Sequence, residues 1–190
     1  MQDTASSVPG HPAAQAPALA VIGLAGGLSV GDAIVHPAHG VGEFAGIDAD
    51  EFDGTRLEFL RLFFAERRLT LRVPLAKAQR NGLRRPMAPE TLARVMEVLA
   101  AAPRGTRLIW ARRAVELAAK VNSGDPVTVA EVLRDLGRNA GRPDQPTGER
   151  VLFEQAMDRL AGEIAALEHI TRAEAAARIL ERLQRRHAAS

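Results

Sequence analysis

The single tryptophan of the 190-residue chain, Trp110, lies in a segment rich in arginine. Its neighbours Arg107, Arg112 and Arg113 could hold phosphate groups while the indole stacks on a nucleic-acid base or wedges between two bases. A structural role is also consistent with the sequence, because Trp110 falls at helical spacing with three apolar residues that would form one buried stripe. These residues are Ala114, Leu117 and Val121. The sequence alone leaves both roles of Trp110 open.

Other residue types that could do chemistry give weaker candidates for a site. His36 and His39 are separated by a proline and have no third ligand nearby, so we predict no metal. The chain has no cysteine, which excludes disulfide bonds, thiolate metal sites and thiol catalysis. It also lacks a glycine-rich phosphate-binding motif. We therefore predict a binding protein, not an enzyme, and no cofactor.

The net charge of +2 hides a strong asymmetry along the chain. Residues 1–75 hold 5 basic and 9 acidic groups, residues 76–115 hold 9 against 2, and residues 116–190 hold 11 against 12. Clustered basic groups release counterions when they bind nucleic acid, so the middle window favours a polyanionic partner. A solvated basic surface without a partner would give the same count.

The first 27 residues differ in composition from the rest of the chain. They are rich in alanine, proline, glycine and serine, and no Lys or Arg precedes the apolar run 18–28, whereas a secretory signal starts with a basic region. We interpret residues 1–27 as a disordered tail. No uninterrupted apolar run is long enough for a transmembrane helix, so no membrane association is predicted.

Residues 28–75 have the pattern of a small antiparallel β-domain. Predicted strand segments are 33–35, 40–47, 46–52, 55–64 and 69–73. Asp53-Gly54 is a typical hairpin turn, and alternation places Leu69, Leu71 and Val73 on one face of the last strand. Four or five short strands in this length predict a curled sheet or barrel.

After Pro74 the apolar residues recur at helical spacing, which predicts an all-α bundle over residues 76–188. Predicted helices start at Pro89, Thr106, Asp125-Pro126, Thr147 and Thr171. The first is ended by Pro103, the second runs to Asn122, the third has Leu136 among its inward residues, and the last two run to about Glu168 and Arg186. Asp125 and Thr147 are predicted N-caps, and Thr171 with Glu174 forms a capping box. The chain is thus predicted to be α+β in two domains, a β-domain followed by a bundle of about five helices.

The order of these domains, with six short motifs, resembles the CarD/CdnL family of bacterial RNA polymerase-binding transcription regulators. The β-domain of that family also occurs in the transcription-repair coupling factor. The motifs are Val30-Gly31-Asp32 with Val35-His36-Pro37 and His39-Gly40, then Leu69-Thr70-Leu71-Arg72-Val73-Pro74, Trp110-Ala111-Arg112-Arg113, Ser123-Gly124-Asp125, Ala130-Glu131-Val132-Leu133-Arg134-Asp135-Leu136 and Gly148-Glu149-Arg150.

The resemblance implies a Tudor-like β-domain that binds the β subunit of RNA polymerase through its last strands. The residues implied in that contact are Thr70, Leu71, Arg72 and Pro74. It also implies that Trp110 wedges into the minor groove at the upstream edge of the promoter bubble and stabilises the open complex without reading sequence. Arg107, Arg112, Arg113 and Arg150 would then lie near the DNA backbone. Such a protein would act as a monomer in the cytoplasm.

The chain departs from the family pattern at two places. Where the family often has an aromatic and a basic residue after the two arginines, this chain has Ala114-Val115, which puts one phosphate contact in doubt. A later aromatic is replaced by Gly137. The alternative function is a protein-interaction adaptor, in which the helical bundle binds another protein and the basic window is merely solvated.

Overall fold

The computed structural model describes residues 27–105 and 109–185 of the chain. The predicted tail therefore lies outside the described residues, except for Gly27. Within the described part, four strands precede five helices. The strands are β1 (Ala33–His36), β2 (Gly40–Phe52), β3 (Thr55–Phe64) and β4 (Leu69–Pro74), and the helices are α1 (Pro89–Ala100), α2 (Trp110–Asn122), α3 (Pro126–Leu136), α4 (Thr147–Glu168) and α5 (Arg172–Arg185).

The β-domain is a four-stranded antiparallel sheet in the order β1-β2-β3-β4, curled into a Tudor-like half-barrel. The predicted hairpin turn is confirmed, because Phe52 pairs with Thr55 and both Asp53 and Gly54 have positive φ. The segments predicted as 40–47 and 46–52 are one continuous strand, β2, with a register shift between Phe44 and Gly46. A bulge of this kind bends a strand, so the sheet curls where sequence patterning suggested a break.

Alternation along β4 agrees with the prediction for its two faces. Val73 is buried and Leu69 and Leu71 pack partly against the same apolar cluster, whereas Thr70 and Arg72 are exposed. The cluster is built mainly from the inward residues of the sheet and closed by residues that follow β4. Its buried members are Ile34, Phe44, Leu60, Leu62, Phe64, Val73, Leu75, Ala78 and Leu83. The domain boundary near residue 75 stays a prediction, since Ala78 and Leu83 still pack with the sheet.

The helical part agrees closely with the predicted pattern. The side chain of Asp125 caps α3 by accepting from the backbone N–H of Thr128 at 2.8 Å. Thr171 and Glu174 form the predicted capping box, and the hydrogen bonds from the backbone N–H and the hydroxyl of Thr171 lower the pKa of Glu174. The predicted cap at Thr147 is wrong: Pro146 occupies the N-cap position, and no side chain caps α4. Residues 106–108, where the second helix was predicted to start, lie outside the described residues.

One arginine connects the two domains. The backbone of Arg84 pairs with Val35 at the outer edge of β1, with N–H···O distances of 2.8 and 3.2 Å. Its guanidinium group donates to both carboxylate oxygens of Glu163 in α4, at 2.5 and 2.8 Å, and to the carbonyl oxygen of Gly124. Glu163 is only 4% exposed and also accepts from the backbone N–H of Met87 at 2.7 Å. The β-domain edge is thereby bonded to the C-terminal part of α4.

A second arginine strengthens the same contact between the domains. Arg159, one turn before Glu163 on α4, donates to the carbonyl oxygens of Pro37 and Val121 and to the side chain of Asn122. The Pro37 ring lies against Gly82, where a Cβ would come within 2.7 Å of Pro37 Cγ. A side chain at Gly82 would therefore clash with the β1–β2 turn at Pro37.

None of the helices in the described part of the chain combines the length and the apolar character that a membrane span requires.

We expect Glu163→Ala to lower the free energy of unfolding by about 3 kcal/mol, because loss of one partner leaves a partly buried guanidinium without its counter-charge. Urea denaturation followed by circular dichroism measures this loss. Glu181→Ala is the control, since Glu181 pairs with Arg185 on the exposed surface of α5, and removal of such a pair costs about 0.5 kcal/mol or less. Equal losses in the two variants would contradict a special role for the Arg84–Glu163 pair.

Candidate nucleic-acid and protein interfaces

Trp110 is the first residue of α2, and its position combines features of both roles that the sequence left open. It continues the stripe formed by Leu117 and Val121, which are both buried. At the open end of that stripe, however, the indole is 38% exposed. Trp110 therefore rests on the protein with part of its ring in solvent. An exposed aromatic supported from below can stack on a base without first moving away from the core.

The support beneath the indole is Gly148, in the first turn of α4. A Cβ atom at this position would lie 2.8 Å from Cζ2 of Trp110 and 3.3 Å from Cε2 and Nε1. Because real Cβ contacts are essentially never as short as 2.8 Å, only glycine lets the indole approach the start of α4 this closely. Gly148 thus fixes how far the indole projects from the surface.

The arginines predicted to surround Trp110 divide into two kinds. Arg112 and Arg150 are exposed, and their side chains bond to no other residue in the described ranges. Arg113 is partly covered, and its Nη1 lies 3.7 Å from Oε1 of Glu149. Arg107 lies outside the described residues. Arg112 and Arg150 are thus the cations near Trp110 whose charge the described chain leaves uncompensated.

Glu149 is a residue of this site that the sequence did not single out. It is 6% exposed, approaches Arg113 of α2 and accepts a hydrogen bond at 3.0 Å from the side-chain amide of Asn139, which follows α3. One buried carboxylate therefore holds the start of α4 to two other helical segments directly beside Gly148. The only sequence signal was its place in the motif Gly148-Glu149-Arg150.

Two helix N-termini meet under the indole, since Trp110 begins α2 and Gly148 lies in the first turn of α4. The first backbone N–H groups of a helix have no acceptor within the helix. In α2 and α4 no side chain at the N-cap position supplies one either. The first turn of α2 contains no acidic residue, and the acid in the first turn of α4, Glu149, is the buried residue beside Arg113. Partial positive charge of both helix dipoles adds to that of the arginines, which favours an anionic ligand here.

Strand β4 forms the second candidate interface. It pairs only with β3, so its other edge carries no backbone partner among the described residues. Thr70, Arg72 and Pro74 alternate onto the outer face, whereas Leu71 packs partly against the core. Of the four residues predicted to bind a partner, Leu71 therefore presents mainly its backbone. A free, ordered strand edge is a common site for strand addition by another protein.

Arg72 is held in one orientation on the outer face of the sheet. Its guanidinium group lies 2.8 Å from Asp50 and 3.4 Å from Asp48, and Cζ stands 4.6 Å from the centre of the Phe59 ring. An arginine fixed by two carboxylates and an aromatic face loses little side-chain entropy when it contacts a partner.

The two neighbouring histidines have a structural explanation. The rings of His36 and His39 lie 4.8 Å apart, and His39 also contacts Phe64. Burial lowers the pKa of His36, and the nearby charges of His39 and Arg159 lower it further. The described part of the chain contains no group of three or more His, Asp or Glu residues arranged to hold a metal ion.

Comparisons with known proteins match both halves of the chain. A family model of the CarD-like/TRCF RID domain matches residues 28–87, and a model of the CarD C-terminal domain matches residues 94–180. The "Putative transcription factor YdeB" of Bacillus subtilis (strain 168) is 25% identical over 142 residues, which are 75% of this chain and 93% of that protein.

We expect Gly148→Ala to displace the indole of Trp110, because the added methyl group would overlap the ring. Trp110 is the only tryptophan, so a red-shifted emission and faster quenching by acrylamide would report the displacement directly. Gly105→Ala is the control, since a Cβ at Gly105 meets nothing within 4 Å and its backbone has no positive φ. Identical spectra for the parent chain and Gly148→Ala would contradict the role of Gly148 as a support.

Proposed function

Because the chain belongs to the CarD family of transcription regulators that interact with RNA polymerase, we propose that it stabilises the promoter open complex. The β-domain binds the polymerase β subunit, and Trp110 enters the minor groove at the upstream edge of the melted DNA. The protein reads no sequence and catalyses no reaction. It acts as a monomer in the cytoplasm, where promoter DNA and polymerase meet.

The half-exposed indole of Trp110 is the observation that carries the proposal. It rests on Gly148 at the junction of two helix N-termini, and the exposed Arg112 and Arg150 follow Trp110 and Gly148 by two residues along α2 and α4. Insertion of an apolar wedge unstacks one base step at a cost of a few kcal/mol, which contacts to the bent backbone can offset. A melted junction has already lost stacking, so the wedge acts there at lower cost than within intact duplex. Binding of Trp110 at the junction opposes closure of the bubble.

The few uncompensated cations near Trp110 cannot hold DNA tightly by themselves. Non-specific contacts of this kind give dissociation constants on the order of 10⁻⁴–10⁻⁶ M at physiological salt. Attachment through the β-domain makes the second contact intramolecular and raises the effective concentration at the promoter to about millimolar values. The proposal therefore requires both interfaces on one chain.

For the polymerase contact, the free edge of β4 and the fixed guanidinium group of Arg72 support a docking mode with two components. Backbone groups of β4 can pair with a strand of the β subunit. The outward side chains Thr70, Arg72 and Pro74 then determine which strand fits. Since Leu71 packs partly against the core, its contribution would be the position of its backbone.

We expect Trp110→Ala to shorten the lifetime of a promoter open complex by about tenfold, in line with about 1–3 kcal/mol for one base–aromatic stacking contact. Polymerase binding should be unchanged. The lifetime is measured by decay of competitor-resistant complexes, with Val115→Ala as the control because Val115 is an exposed apolar residue on the same helix. An unchanged lifetime with Trp110→Ala would contradict the wedge. If Val115→Ala instead weakens binding of another protein, the adaptor function is favoured.

We expect Arg72→Ala to weaken binding to the polymerase β subunit by about tenfold, because a charged group at a protein interface would be lost together with its preformed geometry. Surface plasmon resonance with immobilised polymerase measures the dissociation constant. Arg56→Ala is the control, since Arg56 is an exposed arginine of the same sheet that lies on β3 near the hairpin turn. Equal affinity of Arg72→Ala and the parent chain would contradict this assignment of the surface.

A further inference from the structure

Two exposed arginines outside the predicted site lie along a series of contacts that leads to Trp110. Arg104 precedes α2, and Arg138 follows the last residues of α3. Both side chains are exposed, and neither forms a hydrogen bond or ion pair with another residue in the part of the chain that the structure describes. Their charges are therefore available to a ligand.

The position of Arg104 is fixed by its backbone. Its N–H donates to Oδ1 of Asp135 at 2.9 Å. Asp135 stands three residues before Arg138, which is about one helical turn. The chain continues to turn beyond α3, because the N–H of Asn139 bonds to the carbonyl oxygen of Leu136 at 3.1 Å. Arg104 and Arg138 therefore project from neighbouring points at the C-terminal end of α3.

The same end of α3 is joined to the support of the indole. Asn139, the residue after Arg138, donates to Glu149 at 3.0 Å, and Glu149 follows Gly148, on which Trp110 rests. Contacts thus continue from Arg104 through the end of α3 to the start of α4. The two arginines and Trp110 therefore lie on segments that are joined to one another by hydrogen bonds and packing contacts.

Acidic groups nearby do not neutralise this surface. Asp135 is mostly buried and pairs with Arg134 at 2.8 Å. Glu149 is buried beside Arg113. Asp144, in the loop before α4, is exposed and is the acidic residue of that loop. The same loop carries Arg138 and Arg142, so its excess of charge is positive, and the exposed Arg150 follows in the first turn of α4.

We infer that Arg104 and Arg138 form a second phosphate-binding pair, which holds the backbone of duplex DNA beyond the site at Trp110. This inference rests on the proposed function and extends its DNA contact towards the end of α3. The ligand is the phosphodiester backbone, so the pair adds affinity and fixes the path of the duplex without distinguishing base sequences. Trp110 then acts at one end of a bound segment of DNA and not at an isolated point.

The test is the salt dependence of DNA binding by the full chain, measured by fluorescence anisotropy with a short labelled duplex. Each phosphate contact contributes about 1 to the slope of log K against log salt, so the double variant Arg104→Ala/Arg138→Ala should reduce the slope by about 2. The loss should be equal on AT-rich and GC-rich duplexes. Arg104→Lys/Arg138→Lys keeps both charges and should retain the slope.

A matched control removes the same net charge elsewhere. Lys77 and Arg80 are exposed, have no ionic partner among the described residues and lie between β4 and α1, so Lys77→Ala/Arg80→Ala should leave the slope nearly unchanged. Equal slopes for the Arg104/Arg138 double variant and this control would overturn the inference. Trp110→Ala removes no charge, so it should keep the slope while it shortens the open-complex lifetime. An unchanged lifetime would therefore overturn the wedge while leaving the phosphate-binding pair in place.

Discussion

The relative orientation of the two domains depends on the buried ion pair between Arg84 and Glu163. The backbone of Arg84 bonds to Val35 of β1, and its guanidinium group bonds to Glu163 of the helical bundle. Glu163 is almost completely removed from water, so its charge is tolerated only while Arg84 and the N–H of Met87 remain bonded to it. Movement of one domain against the other would break these bonds together. The β4 edge and the Trp110 surface are consequently parts of one body.

The proposed function requires this rigidity, because it has the protein hold two partners at once. A flexible connection would spread the free end over a large volume and lower the effective concentration of Trp110 at the DNA. Arg159 and Arg172 add further contacts between the domains, to Pro37 and to Glu66 respectively. Under the proposed function, binding at β4 would therefore determine where Trp110 can reach. The proposed function depends more on the fixed orientation of the two domains than on the affinity of the chain for DNA.

Much of the fold follows from local sequence signals whose physical basis is simple. Asp53-Gly54 can adopt positive φ at both turn positions, and Thr171 with Glu174 satisfies the first N–H groups of α5, so these boundaries were predictable. The continuity of β2 was not, because a bulge at Gly46 interrupts the alternation that indicates a strand. The Thr147 cap failed because the helix begins one residue earlier than its residue types suggest, so Thr147 is the first helical residue and Pro146 takes the N-cap position. The pairing of Arg84 with Glu163, 79 positions apart, leaves no pattern in a single sequence.

In the candidate site, the sequence likewise does not show which individual arginines are exposed and which are paired. A count of basic residues treats Arg112 and Arg113 alike, yet one is exposed and the other lies beside the buried Glu149. What decides between them is a carboxylate more than thirty residues away, together with the packing of three helical segments. Conversely, the exposed Val115 stands where the family often has a basic residue, so α2 itself offers one cation fewer. Arg104 and Arg138 lie on the same bonded segments and are exposed without an ionic partner in the described ranges, so the proposed DNA surface can be completed by residues that the pattern of α2 does not contain.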